Sequence, residues 1–296
     1  MEKQKKAYLY ALTSVLLWST VASAFKITLR WVSPVELLFY AACFSCGVLF
    51  FALVVLKKVH LVITTDLSVW KSSLIFGLLN PFLYYLILIK AYDLLPAQHA
   101  QPLNYTWAIT LSLLSVPLLG HRLKLFEILA VVVSYIGVLI ISTKGELLAL
   151  NFENPFGVAL ALGSTIIWAL YWIINTRDKR DPVAGLFLNF LCSLPFIGAY
   201  LAIFEGFRSI ELPGLLGAAY IGCFEMGIAY ITWLMAMKLT TSTARIANLI
   251  FISPFLSLIL IHFLVGEKIL VSSVIGLIFI VIGLIIQAVS SSRTNG

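Results

Sequence analysis

Charged residues are scarce in this chain of 296 residues. Asp, Glu, Lys and Arg together make up 11% of it, whereas 61% is hydrophobic. A water-soluble domain carries roughly 25% charged and 45–50% apolar residues. The composition therefore excludes an ordinary soluble protein and indicates a chain that crosses a lipid bilayer several times.

Cysteine and histidine are also few, with 4 of each. Cys43 and Cys46 have the spacing of a redox or zinc motif, but both lie in an apolar run, where a thiolate would be poorly solvated. The histidines are too dispersed to form a ligand pair, and no HExxH, P-loop or dinucleotide-binding glycine pattern occurs. We therefore interpret the cysteines as small residues facing lipid or core, and the sequence predicts no metal, no cofactor and no enzyme.

Apolar runs of about 20 residues, enough to cross about 30 Å of hydrocarbon, fill most of the chain. Pro34, Pro155 and Pro182 stand at or near the starts of runs, where a helix tolerates proline. The loops between the runs are too short to hold a soluble domain. The sequence predicts an all-α integral membrane protein with ten transmembrane helices, at residues 8–29, 34–56, 69–90, 98–118, 125–142, 156–175, 183–204, 213–237, 243–264 and 271–289.

Basic residues predict the orientation of these helices. With ten spans, fourteen Lys and Arg residues fall on the side of the N-terminus and six on the other, which accounts for all 20. This asymmetry places both termini in the cytoplasm. The formal charge of +7 does not indicate nucleic-acid binding, because the basic residues are scattered singly between apolar runs.

The two halves of the chain resemble each other. Gly137 matches Gly283 at an offset of 146, within similar apolar segments, and Tyr85 matches Tyr230 at an offset of 145. Five crossings per unit invert the second copy relative to the first, which is the plan of many secondary transporters. The sequence thus predicts repeats at residues 1–145 and 146–296. A signal-peptidase pattern at 22–24 is discounted, because cleavage there would remove one span of the repeat.

One acidic residue, Glu225, lies deep in a predicted span. A charge at the centre of a membrane helix costs roughly 2.5–3.5 kcal/mol, so Glu225 is a candidate for proton coupling or for binding an ammonium group. The alternative is a protonated side chain that joins two helices by a hydrogen bond. Its counterpart at an offset of 145 is Asn80, which places an amide and a carboxyl group at equivalent depths.

Polar residues in two spans add to this set. Gln101, Asn104 and Tyr105 lie on one face of the fourth span, and Asn248 lies in the ninth. Lipid cannot satisfy their hydrogen-bonding groups, so this face is expected to contact other helices or water. Hydrogen bonds between helices explain the stripe equally well.

Aromatic residues are placed well inside several spans. Some belong to the interfacial belts where Trp and Tyr are common. The others favour a pocket for an organic solute with an apolar or cationic part, through stacking and cation–π contact. The set comprises Trp18, Tyr84, Tyr85, Tyr105, Trp107, Trp168, Tyr171, Trp172, Tyr230 and Trp233.

Several short motifs give the chain a family resemblance. They are Leu17-Trp18-Ser19, Leu103-Asn104-Tyr105-Thr106-Trp107, Phe224-Glu225-Met226-Gly227, Ser253-Pro254-Phe255-Leu256-Ser257 and Gly266-Glu267-Lys268. In order and spacing, over nearly the whole chain, they resemble the EamA-type carriers of the drug/metabolite transporter superfamily. That resemblance implies ten helices in two five-helix repeats in a bacterial inner membrane.

The Asn-Tyr-x-Trp stretch is similar to that of the YddG-like aromatic amino-acid exporters. This resemblance implies a central cavity between the first, third, fourth, sixth, eighth and ninth helices. It places Tyr84, Tyr85, Tyr105, Trp107 and Trp168 at the wall. The chain departs from the pattern at His121, where the family often has Glu, and at Ala108, where the exporters usually have Pro.

The resulting hypothesis is a carrier that exports a small organic metabolite, such as an amino acid or a related compound, by alternating access. A nucleotide-sugar or drug/cation carrier of the same superfamily, or a channel or membrane receptor, are the alternatives. The expected partners are the solute and the bilayer, without nucleic acid, and a monomer is compatible with the sequence. The candidate binding residues are Trp18, Asn80, Tyr84, Tyr85, Asn104, Tyr105, Trp107, Trp168, Trp172, Tyr230 and Asn248, with Glu225 for coupling or ammonium binding.

Overall fold

A computed structural model describes residues 2–120, 125–146, 154–175, 178–240, 246 and 248–292, and the regular structure within these ranges is entirely helical. The first half contains α1 Glu2–Thr28, α2 Pro34–Val55, α3 His60–Ile63, α4 Leu67–Gly77, α5 Tyr84–Leu94, α6 Ala97–Tyr105, α7 Trp107–Leu119 and α8 Leu125–Ser142. The second contains α9 Pro155–Asn175, α10 Pro182–Phe204, α11 Leu212–Tyr220, α12 Ala229–Leu239, α13 Ser253–Leu260 and α14 Val271–Ser292.

The helical segments follow the predicted apolar runs. Within the described residues, 8 helices are long and apolar enough to cross a membrane. The fourth and ninth predicted runs are interrupted instead. α6 and α7 meet at Thr106, and Leu249–Val265 is a shorter apolar helix with a 3₁₀ turn at one end and a π-helical turn at the other. The ninth run was predicted to begin at 243, and residues 243–245 lie outside the described part of the chain.

Capping residues fix the starts of two helices. The Ser33 hydroxyl accepts a hydrogen bond from the Glu36 backbone N–H, and the Glu36 carboxylate accepts one from the Ser33 N–H. Asp181 accepts bonds from the N–H groups of Val183 and Ala184 at the start of α10. Both caps satisfy donors that a helix N-terminus leaves without partners.

Loop contacts define the two ends of the bundle. Lys58, after α2, pairs with Asp181, before α10, with 2.6 Å between Nζ and Oδ2. We call this end, where α1 also begins, the N-terminal face. At the other end, the opposite face, the Lys26 ammonium at the end of α1 donates to the backbone oxygens of Tyr92 and Leu95.

The third and eighth predicted runs are both interrupted, but in different ways. Leu78–Leu83, between α4 and α5, is a kink at which Asn80 has the extended backbone angles φ −145° and ψ 119°. Ile221–Ile228, between α11 and α12, is a π-helical segment. Just ahead of the first break and inside the second, a glycine packs against the backbone of a neighbouring helix. Gly77 lies against the Asn189 carbonyl of α10, and Gly222 lies against the Ala41 carbonyl of α2.

These glycine contacts follow the sequence repeat. The glycines are related by 222 − 77 = 145 residues, and the carbonyls that they meet by 189 − 41 = 148 residues. A second pair of contacts, between α8 and α14, is reciprocal in the same way. Gly137 lies against the Gly276 carbonyl and Gly283 against the Ala130 carbonyl, and both 283 − 137 and 276 − 130 equal 146. The packing of the halves is therefore pseudo-symmetric at these points.

Alanine at either tight glycine is expected to destabilise the bundle. A Cβ atom at Gly77 or Gly222 would overlap a backbone carbonyl that cannot move alone, and overpacking of this kind costs about 1–3 kcal/mol. We expect Gly77→Ala and Gly222→Ala to lower Tm in detergent. Gly47→Ala and Gly163→Ala are matched controls, because no atom lies within 4 Å of the added Cβ. Equal Tm values in all four variants would contradict the close packing.

Candidate functional site

A cavity of about 170 Å³ lies between the helices, far larger than the roughly 10–15 Å³ that one water requires. Its wall comes from α1, α5, α6, α7, α9, α12, the Ile221–Ile228 segment and the 3₁₀ turn. The lining residues are Trp18, Val21, Phe25, Tyr84, Tyr85, Leu88, Tyr92, Gln101, Asn104, Tyr105, Trp107, Trp168, Trp172, Glu225, Tyr230, Trp233 and Ile250. We call it the central cavity.

The central cavity brings together most of the residues singled out in the sequence. Nine of the eleven predicted binding residues and Glu225 line it. Asn80 is fully buried but is not among the lining residues. The side chain of Asn248 lies outside the part of the chain that the structure describes.

Other lining residues were not among the predicted binding residues. Gln101 lies one turn before Asn104 on the predicted polar face, and Trp233 belongs to the predicted aromatic set. Phe25 and Tyr92 also line the cavity and pack together, with ring centroids 5.1 Å apart. Their sequence neighbourhoods do not differ from those of core aromatic residues, so only packing identifies them.

Glu225 lies within the π-helical segment Ile221–Ile228 and is 7% exposed. Its Oε1 accepts a hydrogen bond of 2.7 Å from the Tyr85 hydroxyl, which lies 3.2 Å from the Tyr230 hydroxyl. Tyr85 and Tyr230 are counterparts in the sequence repeat, so each contacts its own equivalent. π-Helical turns inside α-helices frequently occur at functional sites. Here the turn holds the carboxyl group at the interface of the two halves.

An aromatic wall surrounds Trp168. Its ring stacks on Tyr84 at 4.6 Å and on Tyr171 at 5.6 Å, with interplanar angles of 29° and 22°. Trp107, Trp172 and Tyr230 approach it edge to face. Tyr230 also contacts Trp18, which packs in turn against Trp233. Such a wall can accept flat apolar groups and attract cations through the ring faces.

Polar groups in the same wall are partly paired. The Asn104 amide donates to the Ser164 hydroxyl at 3.0 Å and accepts from the Tyr84 hydroxyl at 3.3 Å. The fourth apolar run breaks at Thr106, whose hydroxyl donates to the Leu103 carbonyl at 2.7 Å. Asn104 is therefore fixed toward α9 just before the break.

Three lining residues carry a buried polar atom without a hydrogen-bond partner among the described residues. They are the acceptors Gln101 Oε1 and Glu225 Oε2 and the donor Trp172 Nε1. Buried polar groups are nearly always paired with protein or water. A bound solute or water that offers two donors and one acceptor would satisfy all three.

The charged groups described around the central cavity are of one sign. Glu225 is the one acidic residue among the described lining residues, which include no Lys, Arg or His. A carboxylate without a basic neighbour in a poorly hydrated site is stabilised by a cationic ligand or by protonation. The site is thus suited to an ammonium group and unsuited to a phosphate.

A network of hydrogen bonds joins the two halves at the opposite face. The Glu267 carboxylate accepts from the backbone N–H groups of Ala97 and Gln98, at the N-terminus of α6. The Gln98 side chain bonds in turn to Lys268 O, Leu270 N and Ser273 Oγ. This network ties the start of α6 to the segment that leads into α14.

A second cavity, of about 110 Å³, lies toward the N-terminal face. It shares Trp172 and Tyr230 with the central cavity, and Asp178 and Arg180 are among its other lining residues. Burial acts to raise the pKa of the Asp178 carboxyl, but hydrogen bonds and charge from Arg180 outweigh it and hold that pKa below its usual value. The ion pair is therefore charged at neutral pH.

Comparison with known proteins identifies the family. The EamA-like transporter family matches residues 5–143 and again residues 155–288. The chain belongs to this family. The resemblance seen in the sequence is thereby confirmed, and the protein is a membrane protein of a transporter family.

Relatives of this EamA-family protein are transporters. An uncharacterized transporter of Clostridium kluyveri is 32% identical over 187 residues, which are 60% of this chain and 59% of the relative. The uncharacterized transporter YvbV of Bacillus subtilis is 24% identical over 95% of this chain and 90% of its own length. The aromatic amino acid exporter YddG of Ancylobacter novellus is 26% identical over 79% of this chain and 80% of its own length.

The crystal structure of another protein shares the fold. It superposes on the EamA-family protein with a TM-score of 0.68 over 99% of both chains, at 22% sequence identity.

Among the described residues, no group of three or more His, Cys, Asp or Glu side chains is placed to hold a metal ion. The cysteines Cys43, Cys46, Cys192 and Cys223 are not in disulfides.

Proposed function

We propose that the protein is a secondary transporter of the bacterial inner membrane that exports an amino acid or a related amine with an aromatic or apolar side chain. The observation that carries this proposal is an aromatic cavity whose lining, in the part of the chain that the structure describes, has one carboxyl group and no basic residue. Glu225 would bind the ammonium group of the solute, and the stacked rings around Trp168 would hold its side chain. The name of the Ancylobacter relative supports the same solute class.

Alternating access between two inverted repeats is the proposed mechanism. The proposed repeats, residues 1–145 and 146–296, each contribute five membrane crossings, with both termini in the cytoplasm. The reciprocal glycine contacts support an axis between the halves, and the Tyr85–Tyr230 contact would lie on it. Rocking of the halves about this axis would expose the cavity to each side in turn.

A drug or organic-cation carrier is the second candidate, because the residues described around the central cavity offer a counter-charge for an ammonium group but none for a carboxylate. A nucleotide-sugar carrier is disfavoured, since phosphate recognition depends on Arg, Lys or helix N-termini. A channel or receptor would not accumulate labelled solute in exchange for unlabelled solute.

Counterflow in proteoliposomes tests the proposed function. Vesicles loaded with unlabelled L-phenylalanine are expected to accumulate labelled L-phenylalanine from outside, above vesicles without protein. Choline and a nucleotide sugar serve as competitors for the two alternative carriers. Accumulation blocked by choline alone would favour the cation carrier, and an absence of counterflow would reject a carrier of amino acids.

We propose that the network at the opposite face also closes that side of the cavity, which leads to a prediction for access. Glu267→Ala removes the carboxylate that joins the two halves at α6, and a charged hydrogen bond of this kind stabilises by about 1.5–3 kcal/mol. We expect a cysteine at the cavity residue Phe25, in a chain whose native cysteines are replaced by serine, to be alkylated about tenfold faster from the opposite face.

Glu36→Ala is the matched control for Glu267→Ala. Glu36 also accepts from a backbone N–H at the start of a helix on the same face, but its partner, Ser33, lies beside it in the first half. The alkylation rate should not change in this variant. An equal increase in both variants would mean that Glu267 supports the local fold without holding the face closed.

A further inference from the structure

Arg180 is held rigidly in the wall of the second cavity. Its Nε and Nη2 groups donate to the Asp178 carboxylate at 2.8–2.9 Å, and Nη2 also donates to Asn189 Oδ1 at 3.1 Å. Nη1 donates to the Ser73 hydroxyl. The guanidinium carbon lies 5.0 Å from the centroid of the Phe76 ring. These contacts fix the plane of the guanidinium group before any ligand arrives.

The guanidinium group has bonding capacity left. It offers five N–H donors, two of them on Nη1, and among the described residues Ser73 takes only one of the Nη1 donors. The side chain of Arg180 is 13% exposed. One Nη1 N–H is therefore left for an acceptor oxygen, such as one oxygen of a carboxylate, while Asp178 stays in place.

The two cavities offer different groups to an amino acid. Among its described lining residues the central cavity has a carboxyl group and no cation, whereas the wall of the second cavity holds the Asp178–Arg180 ion pair, in which one Nη1 N–H has no described partner. Trp172 and Tyr230 belong to both walls, so the two cavities are adjacent. Trp172 also has a buried indole N–H without a described partner, at the boundary.

We propose that the second cavity is a binding site for the carboxylate of the solute, in which Arg180 takes the carboxylate before the ammonium group reaches Glu225. The order of events follows from the position of the cavity between the N-terminal face and the central cavity. The site would select solutes that bear a carboxylate over simple amines. This inference rests on the proposed function for its solute, although the site itself is defined by Arg180, Asp178 and Asn189.

Binding of two half-substrates tests the site separately from transport. The purified full chain is titrated with 3-phenylpropionate, which has the carboxylate alone, and with phenethylamine, which has the ammonium group alone. We expect Arg180→Gln to weaken the affinity for 3-phenylpropionate at least about tenfold, the loss of one charged hydrogen bond. The affinity for phenethylamine should change less than about twofold, which also reports that the variant is folded.

Arg180→Lys keeps the positive charge but loses the planar fork, so an intermediate loss for 3-phenylpropionate is expected. The site would be overturned by wild-type protein that does not bind 3-phenylpropionate, or by an affinity for it that is unchanged in Arg180→Gln. Failure of the proposed function has a different result. In that case, phenethylamine and L-phenylalanine would not bind, while binding of 3-phenylpropionate would still depend on Arg180.

Discussion

Glu225→Gln is expected to lower kcat/KM for an ammonium-bearing solute about 10- to 100-fold. The charged hydrogen bond that it would remove is worth about 1.5–3 kcal/mol. Glutamine retains an acceptor for the Tyr85 hydroxyl, which now bonds to Glu225 Oε1 at 2.7 Å. The variant therefore separates the charge of the site from its packing. Proteoliposome uptake of labelled L-phenylalanine measures the effect.

The pH dependence of the same assay distinguishes a bound ammonium group from a structural hydrogen bond. Protonation of Glu225 removes the charge that attracts an ammonium group, so KM in the wild-type protein should rise as the pH falls. In Glu225→Gln, KM should be high and independent of pH. If Glu225 only ties two helices together, the variant, which keeps the acceptor for Tyr85, would keep the KM and the pH profile of the wild-type protein.

Tyr85→Phe is the matched control for Glu225. It removes the hydroxyl that contacts both Glu225 and Tyr230 but leaves the carboxyl group in place. We expect a smaller loss in kcat/KM than in Glu225→Gln, because the carboxylate that would bind the ammonium group stays in place. A larger loss than that in Glu225→Gln would assign the critical role to the tyrosine pair.

The sequence is sufficient to predict the helical fold because each element is coded locally. Run length and proline position predict the long helices, and the capped starts of α2 and α10 follow from Ser33 and Asp181 with the prolines after them. The break at Thr106 was not predicted, because hydropathy continues across it. Pro102, one turn earlier, was its only local signal.

The sequence predicts a site residue where its burial in hydrocarbon costs free energy. It does not predict a site residue whose position depends on how the helices pack. Glu225 stood out because an acid in hydrocarbon is expensive, and it does line the cavity. Asn80 occupies the equivalent place in the repeat but does not line the cavity. Equal depth does not determine which neighbours surround a side chain. The hydrogen-bonded contact between Tyr85 and Tyr230 also depends on how the halves pack, which no local pattern encodes.

Trp168→Ala is expected to raise KM for L-phenylalanine about tenfold, because the variant would remove the ring at the centre of the aromatic wall. Stacking on an aromatic ring contributes about 0.5–1.5 kcal/mol beyond the area that it buries. KM for L-alanine, which has no ring to stack, should change little. Trp168→Phe should recover most of the loss, since it restores an aromatic face beside Tyr84.

Phe196→Ala provides the comparison for Trp168→Ala. Phe196 stacks on Phe82 at 6.4 Å, and neither residue lines the central cavity. Its removal should lower Tm without altering KM for either amino acid. A Trp168→Ala variant that behaves like Phe196→Ala, with lower stability and unchanged KM for both solutes, would mean that the aromatic wall packs the bundle without contacting the solute. The preference of the carrier would then have to come from Glu225 and the polar residues of α6.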